Sequence, residues 1–221
     1  MKFKATLLAF IFLSFGCSKL PKSFVYLSDI APSIQTELRY LSNNNFIGEP
    51  IDGYKKETII VTAPTAKALA KVQDALSSEG LSLKIYDAYR PQQAVDHFVR
   101  WAKVLNDTLM KAQYYPDVAK KDLFKKGFIA AKSGHTRGST VDLTIIDSKT
   151  GRELDMGSPY DFFGKESHPF YEGINELQKK NRLHLRELML SNGFKPYENE
   201  WWHFTLKNEP FPETYFNFPI E

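Results

Sequence analysis

Lys132-Ser133-Gly134-His135-Thr136-Arg137-Gly138-Ser139-Thr140-Val141-Asp142 sets an imidazole and a carboxylate seven positions apart and runs on into Leu143, Ile145 and Ile146. From Thr140 the pattern has period two. Thr140, Asp142 and Thr144 fall on one face of a strand, and Val141, Leu143 and Ile145 on the other. Asp142 can therefore face a cleft while its neighbours anchor a buried strand. His135 lies an odd number of residues away, so a straight strand would carry it to the opposite face. The two side chains meet only if the chain turns near Arg137-Gly138, and glycine is the residue type that permits the turn. His and Asp are ligands for a divalent metal, but a catalytic zinc takes three protein ligands and leaves the fourth position for water. The third candidate stands in Glu198-Asn199-Glu200-Trp201-Trp202-His203-Phe204, which adds His203 and, three residues before it, Glu200 as a general base. On a flat strand those two would point apart, so a bend or bulge near Trp201 is required.

Working outward, residues 58–61 read as a strand leading to Thr62-Ala63-Pro64, a helix N-cap with a proline in the first turn. Ala66, Leu69, Ala70, Val72, Ala75 and Leu76 share a helical face, and Gly80 ends the run. A strand over 81–86 delivers Asp87-Ala88-Tyr89-Arg90-Pro91 to the next helix, through Ala94, Phe98 and Trp101. Arg90 thus sits at a strand-to-helix junction, where a side chain can project from a rigid base into a cleft. The plainer reading is that it pairs with Asp87 or caps a neighbour, and the residues alone leave both open. Residues 106–126 are polar and mixed, and 147–164 form a long loop with Asp155 and Asp161 as candidate polar contacts. Residues 171–192 read as an amphipathic helix burying Ile174, Leu177, Leu185, Leu188 and Met189. A final pair of strands takes in 194–197 and 201–206, and the proline-rich tail is expected to lie extended along the surface. His97, His168 and His184 read as surface or packing residues.

At 221 residues, with 43% apolar and 14% aromatic content, the chain is globular and suits one substantial domain or at most two small ones. The formal charge is +3; without Lys2 and Lys4 the count is 27 basic against 26 acidic residues, which gives no reason to expect nucleic acid as a partner. Met1-Lys2-Phe3-Lys4 and the apolar run over 5–15 match an export signal and are too short to span a bilayer. The lone Cys17 follows at once and looks like the acylated first residue of a bacterial lipoprotein, although Leu13 stands four positions before it rather than three. An ordinary secretory signal with an incidental thiol is the plainer alternative. The expected organisation is an export signal over 1–16, a tether over 17–23 after a lipidated Cys, and one domain over 24–221. The expected location is the periplasm or cell envelope, with the membrane reached through Cys17 only. A single cysteine allows no intrachain disulfide and argues against a cysteine-rich structural zinc site.

A lone histidine followed by aromatic residues usually packs, and an isolated Asp often caps a turn, so each ligand candidate is weak by itself. Together they suit a peptide hydrolase. The metal acidifies water and polarises a carbonyl, a carboxylate carries the proton, and an Arg faces the developing oxyanion or a substrate carboxylate. The stretch from Ser133 to Asp142, with Glu200-Trp201-Trp202-His203, resembles the vancomycin-resistance-type D-alanyl-D-alanine dipeptidases, a branch of the zinc D,D-peptidases. So do Leu38-Arg39-Tyr40, Asn45-Phe46-Ile47-Gly48, Asp87-Ala88-Tyr89-Arg90-Pro91 and Asp155-Met156-Gly157-Ser158-Pro159-Tyr160-Asp161. Thr140 departs from the alanine frequent at its position. The resemblance implies a compact α+β domain with a central antiparallel sheet flanked by helices. It implies one zinc held by His135, Asp142 and His203, with Glu200 as catalytic acid/base and Arg90 stabilising the transition state or orienting the substrate. Asp87, Ser133 and Asp161 match positions near the substrate pocket, Asp161 facing the dipeptide's ammonium group. The expected activity is hydrolysis of D-alanyl-D-alanine or related D-dipeptides. The alternatives are a D,D-carboxypeptidase acting on peptidoglycan stems and a non-catalytic zinc-containing wall-binding module, against which Glu200 speaks.

Overall fold

The computed structural model describes residues 20–221; the expected export signal, Cys17 and the first part of the tether lie outside the described residues. Leu20 packs against the core, and the Ser23 carbonyl accepts from the Ala63 amide at 2.8 Å. Strand β1 (Phe24–Tyr26) is followed by the two-residue β2 (Gln35–Thr36) and by β3 (Ile60–Thr62), which pairs antiparallel with β1. Helix α1 (Ala63–Ser77) starts directly from Thr62, with Pro64 in its first turn. The Thr62 hydroxyl does not cap the helix. It lies 2.8 Å from both the Thr65 and Ser139 hydroxyls instead, tying the helix start to the segment before Asp142. Leu69, Val72 and Leu76 are fully buried along α1, each contributing roughly 2 kcal/mol of apolar transfer. Gly80, at φ +74°, turns the chain into β4 (Leu81–Asp87).

Helices α2 (Gln92–Lys103) and the four-residue α3 (Lys111–Tyr114) come next, then β5 (Thr140–Asp147), α4 (Glu176–Ser191), β6 (Phe194–Tyr197) and β7 (Glu200–Leu206). The main sheet runs β2-β4-β5-β7-β6, antiparallel except for the β2–β4 edge. This is the expected α+β domain, with a parallel edge added to the antiparallel centre. β5 is buried along all but its last residue, because it lies mid-sheet and both its faces are covered.

Two irregularities break the ladders, both beside the site. On β4, Ile85 pairs with Leu143 but Asp87 with Asp142, so Tyr86 is an extra residue that re-aims Asp87. On β6, Pro196 pairs with Phe204 while the next residue, Tyr197, pairs with Glu200, leaving Trp201, Trp202 and His203 to bow out of register.

Helix α4 begins at Glu176 with a capping box made by Asn175 and Gln178. Leu177, expected to be buried, is 62% exposed. It sits in the first turn, ahead of the stripe formed by Asn181, Arg182, Leu185 and Met189 that faces the body. The C-terminal tail is bonded rather than merely laid on. The Phe216 amide donates to the Thr136 carbonyl at 3.0 Å, the Gln92 amide to the Phe216 carbonyl at 3.0 Å, and Ile220 is buried. Phe24 lies among Phe211, Phe216 and Phe218 and fills the space beside Gly138, where a side chain would strike its ring.

Candidate active site

A short 3-10 turn, Gly134–Arg137, is capped by the Ser133 hydroxyl, which accepts from the His135 amide at 3.3 Å, and is closed by Gly138 at φ +82°. That turn brings His135 back over the strand that carries Asp142. The His135 Nδ1–H donates to the Ala88 carbonyl at 2.7 Å, which leaves the Nε2 lone pair facing inward. β7 lies against β5 with His203 directly opposite Asp142. Two imidazole nitrogens and the two oxygens of one carboxylate converge: His135 Nε2 is 3.3 Å from Asp142 Oδ2 and 3.4 Å from His203 Nδ1, which is 3.0 Å from Asp142 Oδ1.

These separations suit zinc. Bonds of about 2.0–2.1 Å in a tetrahedron place ligand atoms roughly 3.3 Å apart. Asp142 is 2% exposed, yet its Oδ1 receives no well-aligned hydrogen bond, as befits an atom reserved for a cation. Burial pushes the Asp142 carboxyl up, but the two imidazoles outweigh it and hold the group far below the usual carboxylate range. Burial opposes charge on His203 too; Asp142 and then Glu200 override it and push the imidazole up to about 9. The pocket therefore favours a positive charge at this point, and two nitrogens and one oxygen form a donor set typical of catalytic zinc.

Around this centre is a cavity of about 270 Å³. Phe46, Phe98, Phe128 and Phe163 give it an apolar wall, and Arg90, Asp161 and Glu200 also line it. The Glu200 carboxylate lies 3.3 Å from His203 Nδ1, brought there by the bowed segment. Asp161 is held at φ +60°, an uncommon conformation for a residue with a side chain, which aims its carboxylate inward. Burial, then the charge of Asp142, raises its carboxyl well above the usual range; the Tyr40 hydroxyl, donating at 2.7 Å, acts the other way. Arg90 satisfies both readings left open by the residues. Its Nε donates to Asp87 Oδ2 at 2.8 Å, and its guanidinium still reaches the cavity between the rings of Tyr40 and Phe98.

A family model described as D-ala-D-ala dipeptidase, Peptidase M15, matches residues 21–221. The chain belongs to this family. It is 41% identical to a D-alanyl-D-alanine dipeptidase of Enterococcus faecalis, over 91% of this chain and all of the relative. It is 40% identical to one from Streptomyces coelicolor (89% and 98% covered) and 34% identical to one from Escherichia coli (82% and 83%). A solved D,D-pentapeptidase, VanY of a VanB-type resistance cassette, gives a TM-score of 0.42 at 15% identity, over 70% of this chain and 77% of its own. A likeness of that size carries no weight for the chemistry.

His135, Asp142, His203, Glu200, Arg90, Ser133 and Asp161 all border one cavity. Asp87 does not. It is fully buried behind Arg90, with one oxygen accepting from the Tyr54 hydroxyl at 2.7 Å and the other from Arg90. The structure places it beneath the pocket wall, where the β4 bulge turns it toward Arg90. Asp155 is also remote: it accepts from the Gly157 amide and the Gln178 side chain and fastens the loop to α4. His97 and His184 pair with Glu49 and Glu79, away from the cavity. The sequence pattern assigns no individual role to Tyr40, Tyr54 or Tyr160, although Tyr40 follows Leu38-Arg39 and Tyr160 precedes Asp161. The signal available was a tyrosine within a polar motif; only the fold shows that the hydroxyls meet carboxylates.

Proposed function

We propose that this protein is a zinc-dependent dipeptidase that hydrolyses D-alanyl-D-alanine and related D-dipeptides, with one zinc per chain held by His135, Asp142 and His203. The observation that carries the reading is the convergence of two imidazole nitrogens and one carboxylate, in contacts of 3.0–3.4 Å, in a small cavity that also presents Glu200, Arg90 and Asp161. Bound there, zinc supplies an acidified water and a polarised carbonyl. Glu200 takes the proton of the attacking water and passes it to the leaving amine. Arg90, fixed by Asp87, stands by to stabilise charge as it gathers on the carbonyl oxygen. Asp161 receives the substrate's ammonium group, and the phenylalanine wall takes a small side chain.

The cavity falls just below the usual range of roughly 300–1,000 Å³ for small-molecule pockets, which favours a free dipeptide over a peptidoglycan stem. We further assign the protein to the cell envelope, exported and lipid-anchored at Cys17; the order of basic residues, apolar run and lone cysteine supports this. Among the described residues no helix is long and apolar enough to cross a membrane. The test is a matched hydrolysis assay on the zinc-loaded protein, with D-alanyl-D-alanine in one arm and a pentapeptide ending in the same two residues in the other. Cleavage of the dipeptide alone is expected. Preference for the pentapeptide moves the protein to the carboxypeptidases, and cleavage of neither, with zinc bound, moves it to the wall-binding modules.

A further inference from the structure

The geometry points to Tyr160 as a positioning residue for Asp142, joined through Tyr40 to Asp161, so that the metal ligand and the ammonium site share one chain of hydroxyls. The inference rests on the proposed roles of Asp142 and Asp161. The Tyr40 hydroxyl donates to Asp161 Oδ2 at 2.7 Å, which commits its only proton. The Tyr40 oxygen can then act only as an acceptor toward Tyr160, 3.2 Å away. The single Tyr160 proton is shared between that oxygen and Asp142 Oδ2, at 3.3 Å. Both tyrosines are 1% exposed, and burial strengthens these bonds. The Tyr160 ring is locked as well, stacked on Tyr86 at 4.5 Å and edge-on to Trp202 at 5.5 Å.

The two oxygens of Asp142 thereby differ. Oδ2 faces the Tyr160 hydroxyl, His135 Nε2 at 3.3 Å and the Arg90 guanidinium at 3.5 Å, while Oδ1 has no aligned donor and lies beside His203. Tyr160 and Arg90 hold the carboxylate through Oδ2 and so fix its orientation between the two imidazoles. The chain of hydroxyls also joins the two ends. The Asp161 oxygen that Tyr40 does not bond remains to accept the ammonium group, so the chain of hydroxyls stays in place when the site is filled.

The test measures zinc affinity by chelator competition, without substrate, in wild type, Tyr160→Phe and Tyr115→Phe. Tyr115 is a fair control because its hydroxyl is buried with no partner. Partners behind a metal ligand are typically worth 10- to 100-fold in affinity. Tyr160→Phe is expected to bind zinc at least tenfold more weakly and Tyr115→Phe like wild type. Affinity within twofold of wild type in Tyr160→Phe overturns the inference, even if hydrolysis falls. A zinc-loaded wild-type structure gives a second reading that needs no variant: the Tyr160 hydroxyl is expected within hydrogen-bond distance of the Asp142 carboxylate, and its absence from that position refutes the inference. Failure of wild type to bind zinc or cleave the dipeptide counts instead against the proposed function.

Discussion

Asp87→Ala tests whether Asp87 contacts substrate or holds the machinery in place. Asp87 is fully buried, and the side chain of Arg90 is only 12% exposed. Deleting one partner of such a pair leaves the other charge uncompensated, at a typical cost of about 3–5 kcal/mol. The Tyr54 hydroxyl also loses its acceptor, which adds about 1 kcal/mol. The sum, roughly 4–6 kcal/mol, is a large share of the 5–15 kcal/mol that keeps a typical domain folded. At about 2–4 °C per kcal/mol for a chain of this size, the melting temperature should fall by roughly 10–20 °C. Arg90→Met made in the same chain removes the stranded charge, so the double variant should recover much of the loss. In kinetics, released Arg90 can swing to Asp142, 3.5 Å away, so kcat should drop while KM changes little. Urea unfolding of wild type and both variants, with kcat and KM on D-alanyl-D-alanine, decides the matter. A loss below about 1 kcal/mol, or a double variant no better than Asp87→Ala, refutes the buried-pair reasoning. A selective rise in KM would restore Asp87 to the pocket wall.

Glu200→Ala should lower hydrolysis by at least a hundredfold with zinc still bound, since the carboxylate is assigned to proton transfer and not ligation; loss of zinc in that variant shows the assignment to be wrong. Asp161→Asn should raise KM about tenfold or more by removing the carboxyl assigned to the ammonium group, and an unchanged KM places that group elsewhere. In the metal-free protein the raised pKa of His203 implies stability fully present below the unfolded histidine value of about 6.5 and lost as pH rises through about 9. Thermal melts from pH 6 to 10 should show this decline in wild type and a smaller one in His203→Asn; equal declines mean that other groups cause it. Cys17→Ala should move the protein from the membrane to the soluble envelope fraction, and unchanged membrane association removes the lipid anchor from the account.

What could be read in the sequence, and what could not, divides along the regularity of the backbone. Period-two alternation through Asp142 marks β5, and the face from Ala66 to Leu76 marks α1, because side-chain direction repeats predictably in a regular element. The need for a turn at Gly138 and a bend near Trp201 could also be stated, since a shared metal fails without them. Where the bend is made could not. Its register break lies between Pro196 and Tyr197, and the bulge at Tyr86 that buries Asp87 has no counterpart in the hydrophobic pattern. Asp161 at positive φ is likewise invisible, because nothing in Pro159-Tyr160-Asp161 requires a left-handed residue. The misplacement of Leu177 has a related cause: periodicity gives a helix its face but not its first turn. The chemistry of the site is thus concentrated where regular structure breaks, at one turn, one bulge, one register shift and one strained loop residue. The turn and the register shift bring His135 and Glu200 to the cavity, the strained loop residue aims Asp161 into it, and the bulge sets Asp87 behind Arg90. Motif spacing can show that such breaks must exist, and only the packed chain shows which hydroxyls and carboxylates they bring into contact.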